Sequence, residues 1–313
     1  KLRAGIARAV GRCLDGADGT VGIHLSSGLD SSAVLSSAAR QVPKETRPLA
    51  LTAAPVPDAR LLVPRGRFSD ESVIAAQTAQ MNGVEHLVLR NRARLLPAIR
   101  GLGRYFQQPA PAQFSFPWWR ESCEAIRERG GSMLLTGGQG NATISFGGLH
   151  VLSSVLARRG VGPWLREMRA LRRTEPVRWR GMLFNSVRPL LPAWLDSGLL
   201  RLSSGRPMVP VTYLRPEWVG RPAQRSRRSY FAGRVAMITG FDSGVRKRGM
   251  LALTGIDERD PLADRELIDL SLSLPPEAFL SGGRMKPLIR EVLADRVPAT
   301  VLENRSRGIS GAD

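Results

Sequence analysis

The sequence predicts an α/β fold: a mostly parallel, twisted sheet with helices on both faces, joined to a largely helical second half. Three observations carry this. Through the first 150 residues short apolar runs alternate with helical segments, and strands separated by helices pair in parallel. Two of those runs end in turns rich in small residues, Ser26–Ser32 and Gly137–Asn141. From about Leu149 the strand signals stop while helical periodicity continues.

Each element has its own warrant. Leu2 to Leu14 places Ile6, Val10 and Leu14 on one helical face. Residues 21–25 form the first short apolar strand, and 31–40 the helix after it. Arg47 to Ala54 reads as a second strand, ended by Pro55 and Pro57, and the Pro- and Arg-rich stretch to Phe68 as a loop. Asp70 to Met81 is a helix with Ser69 as its cap and Gly83 as its stop. Glu85 to Leu89 is a third strand, Arg92 to Gly101 and Trp118 to Arg129 are helices, and Ser132 to Thr136 is a fourth strand. Helices are expected over Val151–Arg159, Pro163–Arg173, Trp179–Leu195 and Ser229–Leu253, with Pro189 and Pro192 breaking the third. A basic turn, Gly282 to Lys286, leads into a helix over 287–295. Residues 1–150 are read as a nucleotide-binding layer and 151–313 as the helical portion.

Composition narrows the class. A chain of 313 residues can bury a sizeable core. No run reaches membrane-span length, and no secretion signal stands at the start. Both ends read as cuts through a longer protein. Cys13 and Cys123 lack metal or disulfide spacing and are read as buried thiols of a cytoplasmic protein. The formal charge is +19. Nearly all of it is Arg, Lys1, Lys44, Lys247 and Lys286 being the only lysines. That points to composition as much as to a partner, so neither nucleic acid nor membrane is the preferred reading. Trp164, Trp179 and Trp194 are read as packing residues.

The chemistry lies in Ser26-Ser27-Gly28-Leu29-Asp30-Ser31-Ser32. A small, hydroxyl-rich turn between a strand and a helix start gathers free N–H groups and the positive helix end, which suits an anion. Asp30 repels phosphate directly, so its natural role is to hold a bridging Mg²⁺. No Lys follows the glycine, which excludes the Walker-type loop.

The turn resembles the pyrophosphate loop S-G-G-x-D-S of ATP pyrophosphatases, with Ser27 where Gly is usual. Three further pieces extend the resemblance to the synthetase domain of the asparagine synthase family. Leu134-Leu135-Thr136-Gly137-Gly138-Gln139-Gly140-Asn141 is similar to L-[ST]-G-E-G-[GS]-D-E. Asp257 to Asp264 is similar to E-x-R-x-P-x-x-D, with Asp257 in the Glu position. Leu272–Pro276 with Gly283–Glu291 and Arg305–Gly308 completes the set. The resemblance implies an ATP- and Mg²⁺-dependent, amide-forming ligase. A carboxylate, aspartate by family default, is adenylated with release of pyrophosphate, and an amine then attacks. It implies adenosine contacts from Leu25, Thr52 or Ala53, Thr136 and Gly137. Pyrophosphate contacts fall to Ser26, Gly28, Ser31 and Ser32, with Ser27, Leu29 and Gly138 completing the ATP-binding loops. Asp30 and Asn141 would hold metal, and Lys286 would neutralise the adenylation transition state. Arg259 and Asp264 are read as structural ion-pair residues. Three positions depart from the family: Gly138 stands where it has Glu, Asn141 where it has a second Mg²⁺-binding Asp, and Ala142 where it has another acid. These leave Asp30 as the one motif carboxylate, with Gln139 one position off. A glutaminase domain outside this sequence would supply ammonia. The alternatives are a peptide macrolactam synthetase of the lasso-cyclase kind and a non-catalytic nucleotide-binding relative.

Overall fold

The computed structural model describes residues 1–57, 63, 67–90, 95–106, 115–175, 177–191, 195, 230–240, 243–305 and 307–308. In chain order the first elements are α1 (Leu2–Leu14), β1 (Thr20–His24), α2 (Leu29–Ala38), β2 (Arg47–Ala53), β3 (Arg67–Phe68), α3 (Ser72–Met81), β4 (Glu85–Leu89), α4 (Leu95–Ile99), α5 (Gly103–Phe106), α6 (Phe116–Glu128) and β5 (Met133–Leu135). Then come α7 (Val151–Arg159), α8 (Val161–Thr174), α9 (Trp179–Val187), α10 (Tyr230–Thr239), α11 (Gly244–Thr254), β6 (Asp257–Arg259), α12 (Arg265–Ser273), β7 (Leu280–Ser281), β8 (Arg284–Met285), α13 (Pro287–Val292), α14 (Ala299–Leu302) and β9 (Arg307–Gly308).

The chain forms two compact units. One is Lys1–Ser145 with Asp242–Ser273 and Leu288–Asp313; the other is Phe146–Phe241 with Leu274–Pro287. The first holds a five-stranded, all-parallel sheet in the order β4-β2-β1-β5-β6. From β1 the chain steps outward to β2 and β4, then crosses back to β5 on the other side of β1. Right-handed crossovers in opposite directions place their helices on opposite faces, as predicted. The reversal also opens a crevice between the carboxyl ends of β1 and β5.

Register explains the packing. Gly22 aligns with Leu49 and Leu134, and His24 with Leu51, so these residues share one face. There Leu49, Leu51 and Leu134 form a buried cluster with Leu102, Phe106, Phe116, Cys123, Ile126, Met250 and Ile256. Gly22 leaves room for Ile126, which any Cβ at that position would strike. α6 ends in a Schellman motif: Gly130 takes φ +72°, its N–H reaches Arg127 O, and Gly131 N–H reaches Ile126 O. Gly131 then passes against the Thr20 carbonyl, at the start of β1. α1 is tied down by ion pairs, Arg3 to Asp295 at 2.6 Å and Arg12 to Asp264 at 2.7 Å.

The second unit buries Phe146, Val151, Leu152, Trp164, Met168, Leu171, Met182, Phe279 and Leu280. Arg234 is fully buried there, its guanidinium 4.5 Å from the Phe279 ring centre and 5.1 Å from Phe146. The basic turn read from the sequence is a hairpin. Ser281 pairs with Arg284, and Gly282 and Gly283 between them have φ of +60° and +75°, the two-residue loop that needs glycine. The glycine pair thus sets the direction in which the chain reaches Lys286.

Several local expectations are corrected. Asp70, not Ser69, accepts from the Ser72 N–H (2.8 Å) and hydroxyl (2.5 Å), so the helix opens at Ser72. Arg67–Phe68, read as loop, pairs in parallel with Arg307–Gly308. Ser229–Leu253 is two helices, α10 and α11, because α10 ends at Thr239 before Gly240. β6, inside the E-x-R-x-P-like motif, is an unpredicted strand. Trp164 packs as expected, donating to Ser186 Oγ at 2.8 Å, but Trp179 is exposed. Trp194, Pro192 and residues 91–94 lie outside the described residues. Among the described residues no helix is long and apolar enough to cross a membrane.

Gly131→Ala tests the junction of α6 and β1. The added methyl meets backbone, which cannot swing aside, so a loss of about 1–3 kcal/mol is expected, measured by chemical denaturation.

Candidate functional site

The carboxyl ends of β1, β5 and β6 are adjacent, and each carries part of one site. After β1 the ladder extends to Leu25, whose N–H reaches Leu51 O at 2.9 Å. The Thr52 hydroxyl donates back to Leu25 O (2.9 Å) and lies 2.8 Å from His86 Nε2. The chain then turns through Ser26–Gly28 into α2. Ser26 and Ser31 hydroxyls lie 2.9 Å apart, Ser26 Oγ accepts from Gly28 N–H (3.2 Å), and the Ser32 hydroxyl donates to Gly28 O (2.8 Å). These bonds stiffen the turn so that the first-turn N–H groups of α2, which have no helical acceptor, converge.

Ser27 follows a different logic. Its N–H (2.9 Å) and hydroxyl (2.8 Å) both donate to Oε2 of Glu71, and all three groups are buried. The hydroxyl that the sequence put where Gly is usual therefore answers an acid from the start of α3. Gly308 lies against the same carboxylate, where a Cβ would collide with it, and Asn304 Nδ2 reaches Ser27 O at 3.4 Å. The closing R-S-R-G motif thus reaches the first loop.

The second loop closes on the first at Asp30. Gly140 passes so near the Asp30 carboxylate that a Cβ there would overlap it. The Ser145 hydroxyl donates to Asp30 Oδ2 at 2.9 Å. A Cβ on Gly137 would lie 3.2 Å from the Asp30–Ser31 backbone. Asn141 follows Gly140 and is exposed in the 3₁₀ turn Gly140–Ala142. The two loops and Asp30 are therefore assembled in one unit, with Leu29 buried beneath them. Ala53 ends β2 one strand over, and Thr136 caps the β5 ladder onto Arg259 O at 2.9 Å.

From β6 comes a residue the sequence reading missed as a site residue. Asp260 Oδ2 accepts the Gln139 N–H at 2.8 Å, Oδ1 accepts Leu262 N–H at 3.0 Å, and a Cβ on Gly138 would lie 3.1 Å from Oδ2. Burial pushes its carboxyl up to about 6 against those two N–H groups and the pull of Lys247. The signal was present in the motif, but its role needs the β5–β6 pairing, which periodicity over three residues does not reveal.

Behind the site, Glu258 is buried and paired with Arg246, one of the two contacts being Nη2–Oε1 at 2.6 Å. Arg246 lies 4.0 Å over the Trp119 ring, and Trp119 stacks on Trp118, which packs on His24. Burial pushes His24 down to about 3, with Arg246 adding to it, so the ring is neutral and its Nε2 meets Ser122 Oγ at 3.1 Å. Arg259 pairs with Asp257 (2.7 Å) and donates to Cys13 O and Asp15 O, and Asp264 takes Arg12, so both are structural as read. Burial raises both thiols to about 11, which leaves them protonated and inert.

Lys286 belongs to the second unit. It has φ +56°, the one non-glycine residue with positive φ among the described residues, and its N–H donates to Phe279 O at 2.8 Å. A left-handed lysine before Pro287 costs about 1–2 kcal/mol, and such strain concentrates at functional positions.

The raised carboxyl of Asp260 has a measurable sign. The folded state holds this proton to about pH 6, the unfolded chain only to about 3.8. Its contribution is therefore intact below pH 4 and is lost as pH rises through 6. Stability of the wild type relative to Asp260→Asn should fall by about 2–3 kcal/mol between pH 4 and 7, read from denaturation curves across that range.

Comparison with known proteins identifies the family. No curated protein matches the chain. Among solved structures it is similar to the U34-tRNA thiolase NcsA from Methanococcus maripaludis with its 4Fe-4S cluster, at 13% identity and a TM-score of 0.33, covering 88% of this chain and 82% of that one. At that score the likeness carries neither ligand nor activity across. The family comparison spans nearly everything: residues 1–312 match asparagine synthase, and the chain belongs to the asparagine synthase family.

Proposed function

We propose that the protein is an ATP-dependent, amide-forming ligase of the asparagine synthase type. The observation that carries this is the meeting of the two loops on Asp30, at the first turn of α2 and beside Gly140. An acid at a helix start that otherwise gathers donors suits a ligand that brings both phosphate and a cation.

The donor set suits Mg²⁺ carried in by the nucleotide. Among the described residues no group of three or more His, Cys, Asp or Glu converges on a metal position. Mg²⁺ commonly takes one or two carboxylates plus substrate phosphates, and Asp30 with the Asn141 carbonyl fits that set. When bound it neutralises phosphate charge. In the proposed reaction a substrate carboxylate oxygen attacks the α-phosphorus of ATP, and the bond to the β-bridging oxygen breaks. Pyrophosphate leaves with that electron pair. A neutral amine then attacks the acyl carbon, AMP departs, and the nitrogen gives up its proton. The chain's part is positioning and charge. Ser26, Gly28 and the α2 N–H groups receive pyrophosphate; Leu25, Thr52 or Ala53, Thr136 and Gly137 take the adenosine; Lys286 stabilises charge in the adenylation step. Aspartate is the proposed carboxylate, ammonia from a glutaminase domain the proposed amine, and the cytoplasm the proposed setting.

Pyrophosphate release in the presence of ATP and Mg²⁺ tests the reading. Release is expected with aspartate; release with a peptide alone would reassign the substrate to a macrolactam-forming reaction. Asp30→Ala should lower the rate about 100-fold or more, and unchanged turnover in that variant would sink the assignment of the first loop. Lys286→Gly separates strain from chemistry. It should match or exceed wild-type stability, since glycine takes φ +56° freely, while losing turnover to a similar extent as Asp30→Ala.

A further inference from the structure

The acids between 257 and 264 are treated unequally. Asp257 is answered by Arg259, Glu258 by Arg246 and Asp264 by Arg12. Among the described residues Asp260 has no ion-pair partner; its carboxylate accepts only the N–H groups of Gln139 and Leu262. Capping the short 3₁₀ turn Pro261–Ala263 needs only Oδ1. A Ser or Asn would do that without placing a charge out of water, a cost that the two N–H groups and the pull of Lys247 leave unmet, since burial still raises the carboxyl. The second oxygen is turned to the glycine loop and lies 3.1 Å from where a Cβ on Gly138 would stand. A Glu side chain at 138 would start from that point, and by the family resemblance position 138 is where Glu stands.

We propose that Asp260 supplies, from the end of β6, the acid that the second loop lacks at Gly138, and that it acts as a positioning residue for the metal–nucleotide. Its charge and its bond to Gln139 N–H hold the loop so that Asn141 and Asp30 serve one cation. The acid has moved from the loop to the neighbouring strand, so the site retains two carboxylates. Asp30 abuts Gly140 and Asp260 abuts Gly138, two residues apart on the same loop. The proposal rests on the reading of these loops as an ATP site.

The test is ATP affinity of the whole chain, titrated with and without Mg²⁺, for the wild type, Asp260→Asn, and the double variant Gly138→Glu with Asp260→Ala. Thermal unfolding of each variant is recorded alongside. Asp260→Asn should weaken Mg²⁺-dependent ATP binding about 10-fold or more and change Mg²⁺-free binding far less. The double variant should recover most of the loss, because it returns the acid to the loop. Equal losses with and without Mg²⁺, unrecovered by the relocated acid, would reduce Asp260 to a structural brace and overturn the proposal. So would wild-type Mg²⁺ dependence in Asp260→Asn. A wild type that binds no ATP would instead overturn the reading of the site, and the proposal with it.

Discussion

The site depends on a close approach: the carboxylate of Asp30 against the backbone of Gly140. Asp30 is carried by the first turn of α2, and its direction is set by a helix that lies buried along its length. The second loop must come to that acid, and it can do so only without a side chain at 140. Once the two are in contact, Ser145 reaches Oδ2, Gly137 closes on the start of α2, and Asn141 emerges at the surface beside them. The parallel sheet makes this possible, because β1 and β5 are neighbours with both carboxyl ends at the same edge. The reversal of strand order at β1 keeps a further strand from closing that edge.

The departures from the family pattern are answered by groups elsewhere in the same unit. At position 27 a hydroxyl replaces a hydrogen, and the buried acid Glu71 accepts from it and from the amide behind it. At position 138 an acid is missing, and Asp260 stands against the gap. Buried acids are tolerated only where donors meet them, so each such exchange involves two residues on different elements. A single-position comparison registers a loss at 138; the folded chain has an acid there. The same economy governs the charge behind the site. Glu258 is almost wholly buried, yet Arg246 meets it with two contacts and spreads over Trp119, so neither ion is left uncompensated.

Much of this was legible in the sequence. The strands at 20–24, 47–53, 85–89 and 133–135 follow from apolar runs bounded by turn residues, and both site loops were found from composition at strand ends. What escaped notice is what local pattern cannot carry. β6 is three residues long, reads Asp-Glu-Arg, and owes its strand character to pairing with β5 rather than to propensity. The pairing of Arg67–Phe68 with Arg307–Gly308 spans most of the chain. The His24, Trp118, Trp119, Arg246 and Glu258 cluster unites four elements, and only Glu258 lies within a recognisable motif. Asp70 rather than Ser69 as the helix acceptor is a smaller case: both are competent caps, and Arg90 decides between them by pairing with Asp70 at 3.0 Å.

The net charge has a different explanation from the site. The ion pairs around the sheet use Arg almost throughout, from Arg3 and Arg12 on α1 to Arg246 and Arg259. Several of them work because a planar guanidinium can do two things at once: Arg259 grips Asp257 while donating to two carbonyls, and Arg246 pairs with Glu258 while lying on an indole. A lysine could not satisfy those positions. Lys286 is the reverse case. Its left-handed backbone before a proline would suit glycine better, and glycine already fills the two preceding turn positions. A chain with four lysines has kept one where the backbone disfavours any side chain. Under the proposed adenylation reading, the cation is what position 286 contributes that glycine could not.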